Sequence, residues 1–550
     1  MPPKSRCAIW LNKPTKRTFW SERGILSWMK KLEKTLVILL LSTTLFKGIM
    51  WAASIPIWHG PDEQAHFAQV QYYAEVRKGL SAEDDLSLEV FESERLLGTL
   101  RDETGANNFT YHPEYRIEYA QTTTGIFEKL FDYAPREART TFMKREAARY
   151  PPLFYIISAL GYFAGYGGNL FARVALTRII SVFFAVATIW ASYKLSRAIF
   201  PRSFLLSLSI ASLVSFQPMF TFLSSGVNND NLLNLFTTLL LWLMVDAMRK
   251  GLTMKHTVAM GAVLGLGILT KQLMYPFIPL PIAVFLYEGL KKKKLKNMGP
   301  RLIVFLTASI LLGGIVFMRE WVKSGVLPYW PQVSPESPLY SLSIVQYLSQ
   351  KLPQLYRETL PWYFGVFNWL GVVLPLPVLR AIKLGLLFSV IGLCKYVIGK
   401  LSTKKLEVVD WQLGLLLFSG LWYTLWVLIW DYMLVRSIGF SHGIQGRNFF
   451  PNLAGHMTLI AFGLWSLNEK YKEKIMKAAV IAVVLLNFIA LKTMLGSYYQ
   501  LLPLRTLVIQ ASQYKPWFFK GIGLILWFIL YLAFLGRFLA KYIATGKERE

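Results

Sequence analysis

Apolar positions along this chain do not alternate with polar ones at the spacing of half-buried helices or strands. They come as continuous runs, separated by short polar stretches. The runs lie at about 35–57, 172–194, 203–223, 231–248, 256–270, 272–290, 301–320, 378–400, 411–431, 448–467, 475–495 and 517–540. A helix of roughly 20 apolar residues crosses a hydrocarbon layer, so the pattern predicts twelve crossings. The expected fold class is therefore an all-α polytopic membrane protein. The expected division is a basic cytoplasmic tail (1–34), a first transmembrane helix (35–57) and an outer loop (58–171). Transmembrane helices 2–7 (172–320) and a second outer segment (321–377) follow. Helices 8–12 (378–540) and a short cytoplasmic tail (541–550) complete it.

Composition changes this picture little. Apolar types make up 54% of the 550 residues and charged types 17%, against about a quarter charged in soluble domains. Two cysteines, Cys7 and Cys394, cannot form a disulfide framework.

The net charge of +28 would suit nucleic acid, but its placement argues against that. Residues 58–150 hold 17 of the 32 acidic residues and 11 of the 60 basic ones. The other basic residues cluster in short loops after every second apolar run, the pattern of a cytoplasmic face. Both termini are then expected inside the plasma membrane and the two long segments outside. A nucleic-acid partner is not expected. Tyr150–Ile157 is apolar and aromatic but ends in a Gly-rich stretch. It reads as a helix lying at the outer interface.

Four groups of residues carry candidate chemistry. His59-Gly60-Pro61-Asp62-Glu63-Gln64-Ala65-His66-Phe67 follows the first apolar run. Gly-Pro breaks one helix, and the two carboxylates open another, where acidic side chains are favoured. Capping alone would explain them; a general base at the membrane surface would also use them. The zincin motif needs His where Asp62 stands, so a metalloprotease is disfavoured. No cofactor is certain from the sequence; a divalent cation on Asp62, Glu63 or His66 is an open alternative. Gln445-Gly446-Arg447 offers a guanidinium fork for a phosphate. Lys271, between two apolar runs, is a phosphate ligand or a snorkelling anchor, as are Arg173 and Arg178. Asn228-Asn229-Asp230 is a capped turn or a sugar-binding one.

These pieces resemble the GT-C superfamily of integral-membrane glycosyltransferases. They are most similar to the bacterial membrane family known as domain of unknown function 2142. The matching segments run from Pro61-Asp62-Glu63-x-Ala65-His66-Phe67 and Tyr150-Pro151-Pro152-Leu153-Phe154-Tyr155 through Gln217-Pro218, Asn228-Asn229-Asp230 and Leu269-Thr270-Lys271. Phe364-Gly365-Val366-Phe367-Asn368-Trp369-Leu370-Gly371 and Gln445-Gly446-Arg447-Asn448-Phe449-Phe450-Pro451 follow. Asn448 stands where the family often has an aromatic, and Asn368 where it often has glycine. The resemblance implies a GT-C-like bundle of about twelve transmembrane helices, with amphipathic interfacial helices in the first outer loop. It implies transfer of a sugar from a polyprenyl-phosphate donor to a glycan, lipid or protein acceptor, with inversion. Asp62 would be the base, with Glu63 beside it. Arg447, Lys271, Arg173 and Arg178 would face the donor phosphate. His66, Asn228, Asn229, Asp230 and Gln445 would contact substrate. The alternative is a twelve-helix transporter or lipid-linked glycan flippase. Its distinctive charges would sit at the midplane, whereas here they lie at the outer surface, with Lys47 the main deep exception.

Overall fold

Long apolar runs leave the backbone no partner but itself in hydrocarbon, so they fold as helices. The computed structural model describes residues 22–76, 86–102, 105–132, 134–143, 150–293, 295–325, 331–441 and 443–545. Most of the expected basic tail (1–34), Lys294 and the last five residues lie outside them. The helices are α1 (Glu22–Ser54), α2 (Glu63–Val76), α3 (Leu88–Leu97), α4 (Gln121–Asp132), α5 (Leu153–Ala164), α6 (Leu170–Ile199) and α7 (Phe204–Phe216). Then come α8 (Pro218–Ser224), α9 (Asp230–Lys250), α10 (Met254–Ile268), α11 (Pro279–Lys291), α12 (Met298–Ser324), α13 (Ile344–Gln354) and α14 (Leu360–Phe364). The last are α15 (Leu376–Thr403), α16 (Val408–Ile438), α17 (Leu453–Ser466), α18 (Lys472–Tyr498), α19 (Leu504–Ala511) and α20 (Ile522–Ala544).

Among the described residues, nine helices are long and apolar enough to cross a membrane, ten if the bent pair α7–α8 counts as one span. Two of the twelve expected spans are short. α10 has 15 residues and α17 has 14. Both stop early at the same end of the bundle, where the chain turns into Thr270-Lys271 and out of Gly446–Asn452.

α6 lies at the centre, packed on α1, α5, α7 and α9, while α1 also packs on α20 and α15 on α17. The outward faces of α12, α15 and α20 carry exposed apolar side chains such as Ile310, Leu384 and Leu526, as lipid-facing helices do. The loops after α1 and after α12 gather at one end, called here the loop-rich face. Two short antiparallel ladders stitch it. β1 (Leu86–Ser87) pairs with β2 (Phe142–Met143), Leu86 opposite Met143. β3 (Val366–Phe367) pairs with β4 (Val372–Val373), Val366 opposite Val373.

The amphipathic expectation for the first loop holds for one helix and fails for another. α5 turns Ile156, Leu160 and Phe163 outward at helical spacing, an apolar stripe fit for acyl chains. α2 is instead buried on nearly every side, its polar residues Gln64, Gln69 and Gln71 included. Gln71 receives the Ser87 hydroxyl at 2.7 Å and donates to Glu89 at 2.9 Å. These bonds take the place of solvent at Gln71.

Pro218 removes a backbone donor and breaks the helix between α7 and α8 by 60°. The freed carbonyl of Ser215 is taken by the Lys47 ammonium. That of Phe216 is taken by the Asn487 amide at 3.2 Å. Lys47 also donates to the Thr221 hydroxyl at 3.1 Å. The one deep lysine is thus a brace for a broken helix. The break aims α8 at the turn that carries Asp230.

Candidate functional site

The chain leaves α1 through a tight loop in which Trp58 and Asp62 have φ of 63° and 55°. Aspartate tolerates this left-handed region better than most residues. Helix α2 starts at the next residue, so the neighbouring carboxylates of Asp62 and Glu63 diverge to different partners.

Asp62 accepts from Arg101 at 2.8 Å through Oδ1 and from Arg447 at 2.5 Å through Oδ2. Arg447 also donates from Nε to Gln445 Oε1 at 2.8 Å. Its Nη1 lies 4.0 Å from Asp230 Oδ2. Lys271 donates to Asp230 Oδ1 at 2.5 Å and sits 5.3 Å over the Tyr150 ring. The result is an alternating chain, Arg101–Asp62–Arg447–Asp230–Lys271, built from five loops or helix ends. Asp62 is its open member, with 36% of the side chain exposed against 9–11% for the others.

Burial alone would raise the Asp62 carboxyl, but the Arg447 and Arg101 guanidinium groups outweigh it and hold it well below the usual range. His66 lies behind the chain. Its Nδ1 shares a 2.8 Å hydrogen bond with the Tyr155 hydroxyl, and its ring is 5.6 Å from that of Tyr150. Burial first, and then the charge of Lys271, lowers His66 to about 3, so at neutral pH it is an uncharged ring. Three cations then face two carboxylates, and the cluster carries one excess positive charge. That balance suits an added anion.

A divalent cation fits these residues poorly. Both carboxylates are already paired with cations. Among the described residues, no three His, Cys, Asp or Glu side chains gather as metal ligands.

Several expected site residues have other roles here. Glu63 is fully buried and accepts from Arg178 Nε at 2.7 Å and Nη2 at 2.5 Å. Arg178 gives its remaining N–H groups to the carbonyls of Ala52, Ile55 and Pro56, each at 2.8 Å. All five guanidinium hydrogens are taken, so Arg178 has none for a phosphate, and both Glu63 oxygens are occupied within the pair. Arg173 meets both Glu89 oxygens at 2.5 and 2.9 Å and the Tyr162 hydroxyl at 3.0 Å. Neither Arg173 nor Glu89 is exposed. Its fork is closed to a phosphate as well. Asn228 donates to the Pro61 carbonyl and accepts from Asp230 N–H, at 2.8 and 2.9 Å. Asn229 donates to the Tyr155 hydroxyl at 3.3 Å. Both asparagines are buried; Asn228 ties the Asp230 turn to the Asp62 loop and Asn229 ties it to α5. They brace the site where sugar contact was expected. Gln445 aims Arg447.

Arg101 is absent from the sequence reading. It stands in an acidic segment with no periodic or motif signal, 39 residues from Asp62.

Gly446 permits the closest backbone approach around Arg447. A Cβ there would lie 2.1 Å from the Tyr363 nitrogen and 2.4 Å from its Cα. Backbone cannot yield as a flexible side chain does. Gly446→Ala should therefore destabilise the protein by about 1–3 kcal/mol or more, read as a lower unfolding temperature in detergent. Unchanged thermal stability would contradict this packing.

Solved structures are similar to this chain at low identity. ArnT from Cupriavidus metallidurans bound to undecaprenyl phosphate is 12% identical, with a TM-score of 0.39, covering 94% of this chain and 79% of that one. The oligosaccharyltransferase AglB from Archaeoglobus fulgidus, in complex with an inhibitory peptide and a dolichol-phosphate, is 12% identical with a TM-score of 0.43. That alignment covers 88% of this chain and 56% of the other. No curated protein matches significantly. The model of the family described as Predicted membrane protein (DUF2142) matches residues 45–455, most of the length, and the chain belongs to that family.

Proposed function

We propose that this protein is a GT-C-type glycosyltransferase. It moves a sugar from a polyprenyl-phosphate donor to a hydroxyl of a cell-envelope acceptor on the extracytoplasmic face of the plasma membrane. The observation that carries the reading is the chain Arg101–Asp62–Arg447–Asp230–Lys271 at the loop-rich end of an apolar helix bundle. A lipid-linked anion would reach it from the bilayer and a polar acceptor from water. The resemblance of the motifs that supply Asp62, Arg447, Asp230 and Lys271 points the same way. The loop-rich face is the outer one in this reading, with both termini inside, because the basic clusters belong to the other side.

In the reaction, the acceptor oxygen attacks the anomeric carbon. The bond from that carbon to the phosphate oxygen breaks, and its electron pair stays on the phosphate. The acceptor proton passes to Asp62. Arg447 and Lys271 meet the charge that grows on the leaving phosphate. Attack opposite the leaving group inverts the centre. His66, Gln445 and Asp230 line or orient this pocket, and no resident metal enters the scheme.

The transporter alternative draws on the 60° break between α7 and α8. Lys47 and Asn487 already fill the carbonyls of Ser215 and Phe216 freed there, so those carbonyls are not offered to a transported ligand.

The test is deletion of the gene in its own host and comparison of envelope glycans by mass and linkage. The expected result is loss of one sugar residue, restored by the wild-type gene. Glycans identical in mass and linkage would overturn the proposal.

A further inference from the structure

In the observed arrangement Asp62 is doubly paired, and a carboxylate so held is a weak base. The group that holds its Oδ2 is the same guanidinium that the proposed reaction assigns to the donor phosphate. Gln445 takes the Nε of Arg447, and Asp230 lies 4.0 Å from Nη1. Asp62 occupies Nη2. A phosphate that binds Arg447 through both Nη atoms shares Nη2 with Asp62, so two anions meet on that edge.

Arg101 holds the other oxygen and comes from a separate support. Its guanidinium lies 5.2 Å over the Trp369 ring. Trp369 sits in a hairpin tip where Asn368, Trp369 and Leu370 have φ of 47°, 50° and 69°. Three successive left-handed residues are rare for L-amino acids, and such conformations persist only where the surroundings enforce them. Here Phe367 packs edge-on to Phe222 with ring centres 5.1 Å apart. Asn368 N–H donates to the Tyr498 hydroxyl at 3.0 Å. The Trp369 carbonyl accepts from Tyr111 N–H at 3.0 Å. These contacts hold the hairpin backbone that carries the indole to Arg101.

We propose that donor phosphate frees Asp62 by partner exchange: the phosphate takes Arg447, while Arg101, held by Trp369, keeps the released carboxylate in place. The inference rests on the proposed glycosyltransferase reading and adds two positioning residues, Arg101 and Trp369. The exchange swaps one anion for another on Arg447. It leaves Asp62 with a single cation at the moment an acceptor proton must be taken. It also orders the reaction, donor before acceptor.

The experiment measures undecaprenyl phosphate binding to the full chain in nanodiscs. If carboxylate and phosphate compete, Asp62→Asn should bind the lipid about five- to tenfold more tightly than wild type. Asparagine accepts the left-handed backbone at this position. Asp62→Gly, equally free there, should show the same direction. Arg447→Ala should weaken binding at least tenfold on the same scale. Trp369→Leu changes no charge. It should weaken binding about threefold in the wild-type background and leave binding unchanged in the Asp62→Asn background, because only a released carboxylate needs Arg101 in place.

Equal or weaker binding by Asp62→Asn, with Arg447→Ala still weakening it, overturns the exchange and leaves the glycosyltransferase reading standing. Equal effects of Trp369→Leu in both backgrounds remove the positioning role. Lipid that binds no variant, or binds without regard to Arg447, removes the parent reading and the exchange together.

Discussion

Asp62→Asn should lower sugar transfer by about 10²–10⁴-fold, the range that a positioned general base contributes, while the protein still folds. The amide has nearly the shape of the carboxylate but cannot take a proton from an acceptor hydroxyl. The backbone is no obstacle, since asparagine adopts the φ of 55° found there more readily than most residues. The two arginines are largely buried, but the amide oxygen still accepts from one of them and Arg447 keeps Gln445 and faces Asp230, so the fold is retained at some cost in stability. The check is complementation of the deletion strain, with glycan mass as the readout and thermal unfolding as the control. Wild-type transfer by a folded Asp62→Asn protein would remove Asp62 as the base.

The helices were legible because hydrocarbon leaves the backbone few choices. Runs of apolar residues reported their own positions to within a few residues, and the shortfall at α10 and α17 marks where two spans stop to present Lys271 and Arg447. The Asp62 and Arg447 segments were visible as polar, helix-breaking motifs at the ends of such runs. The structure joins them in one ion pair across 385 residues.

What each charge does was not legible. Asp62 and Glu63 are adjacent and chemically alike, yet a left-handed φ at one and a helix start at the other send them to different partners. Arg178 and Arg447 look equally suited to a phosphate in sequence. Only tertiary packing decides that one is filled by carbonyls and a glutamate. Arg101 carried no signal at all, because its partner lies across the fold and its support, Trp369, comes from the second long segment. Asn368 is a partial exception. It stands where the family often has glycine, and its positive φ supplies the physical reason for either residue.

The second large effect concerns Glu63, and it separates fold from chemistry. Its two oxygens accept from Arg178 twice and from the backbone N–H groups of Trp58 and Val227, both at 3.2 Å. Arg178 carries the link on to three carbonyls at the end of α1. One buried pair thus joins α1, α2, α6 and the turn before α9, the frame on which Asp62 and Asp230 stand. Removing either partner leaves an uncompensated buried charge and costs about 3–5 kcal/mol, a large share of the stability typical of a folded protein. Glu63→Ala and Arg178→Ala should each yield little folded protein, with unfolding temperatures well below wild type. The double variant Glu63→Gln with Arg178→Met should be milder than the sum of the two single losses, since no lone charge remains. In every case activity should fall with the folded fraction, whereas Asp62→Asn loses activity alone. A Glu63→Gln protein with wild-type thermal stability and no transfer would reverse the assignment and make Glu63 a catalytic residue.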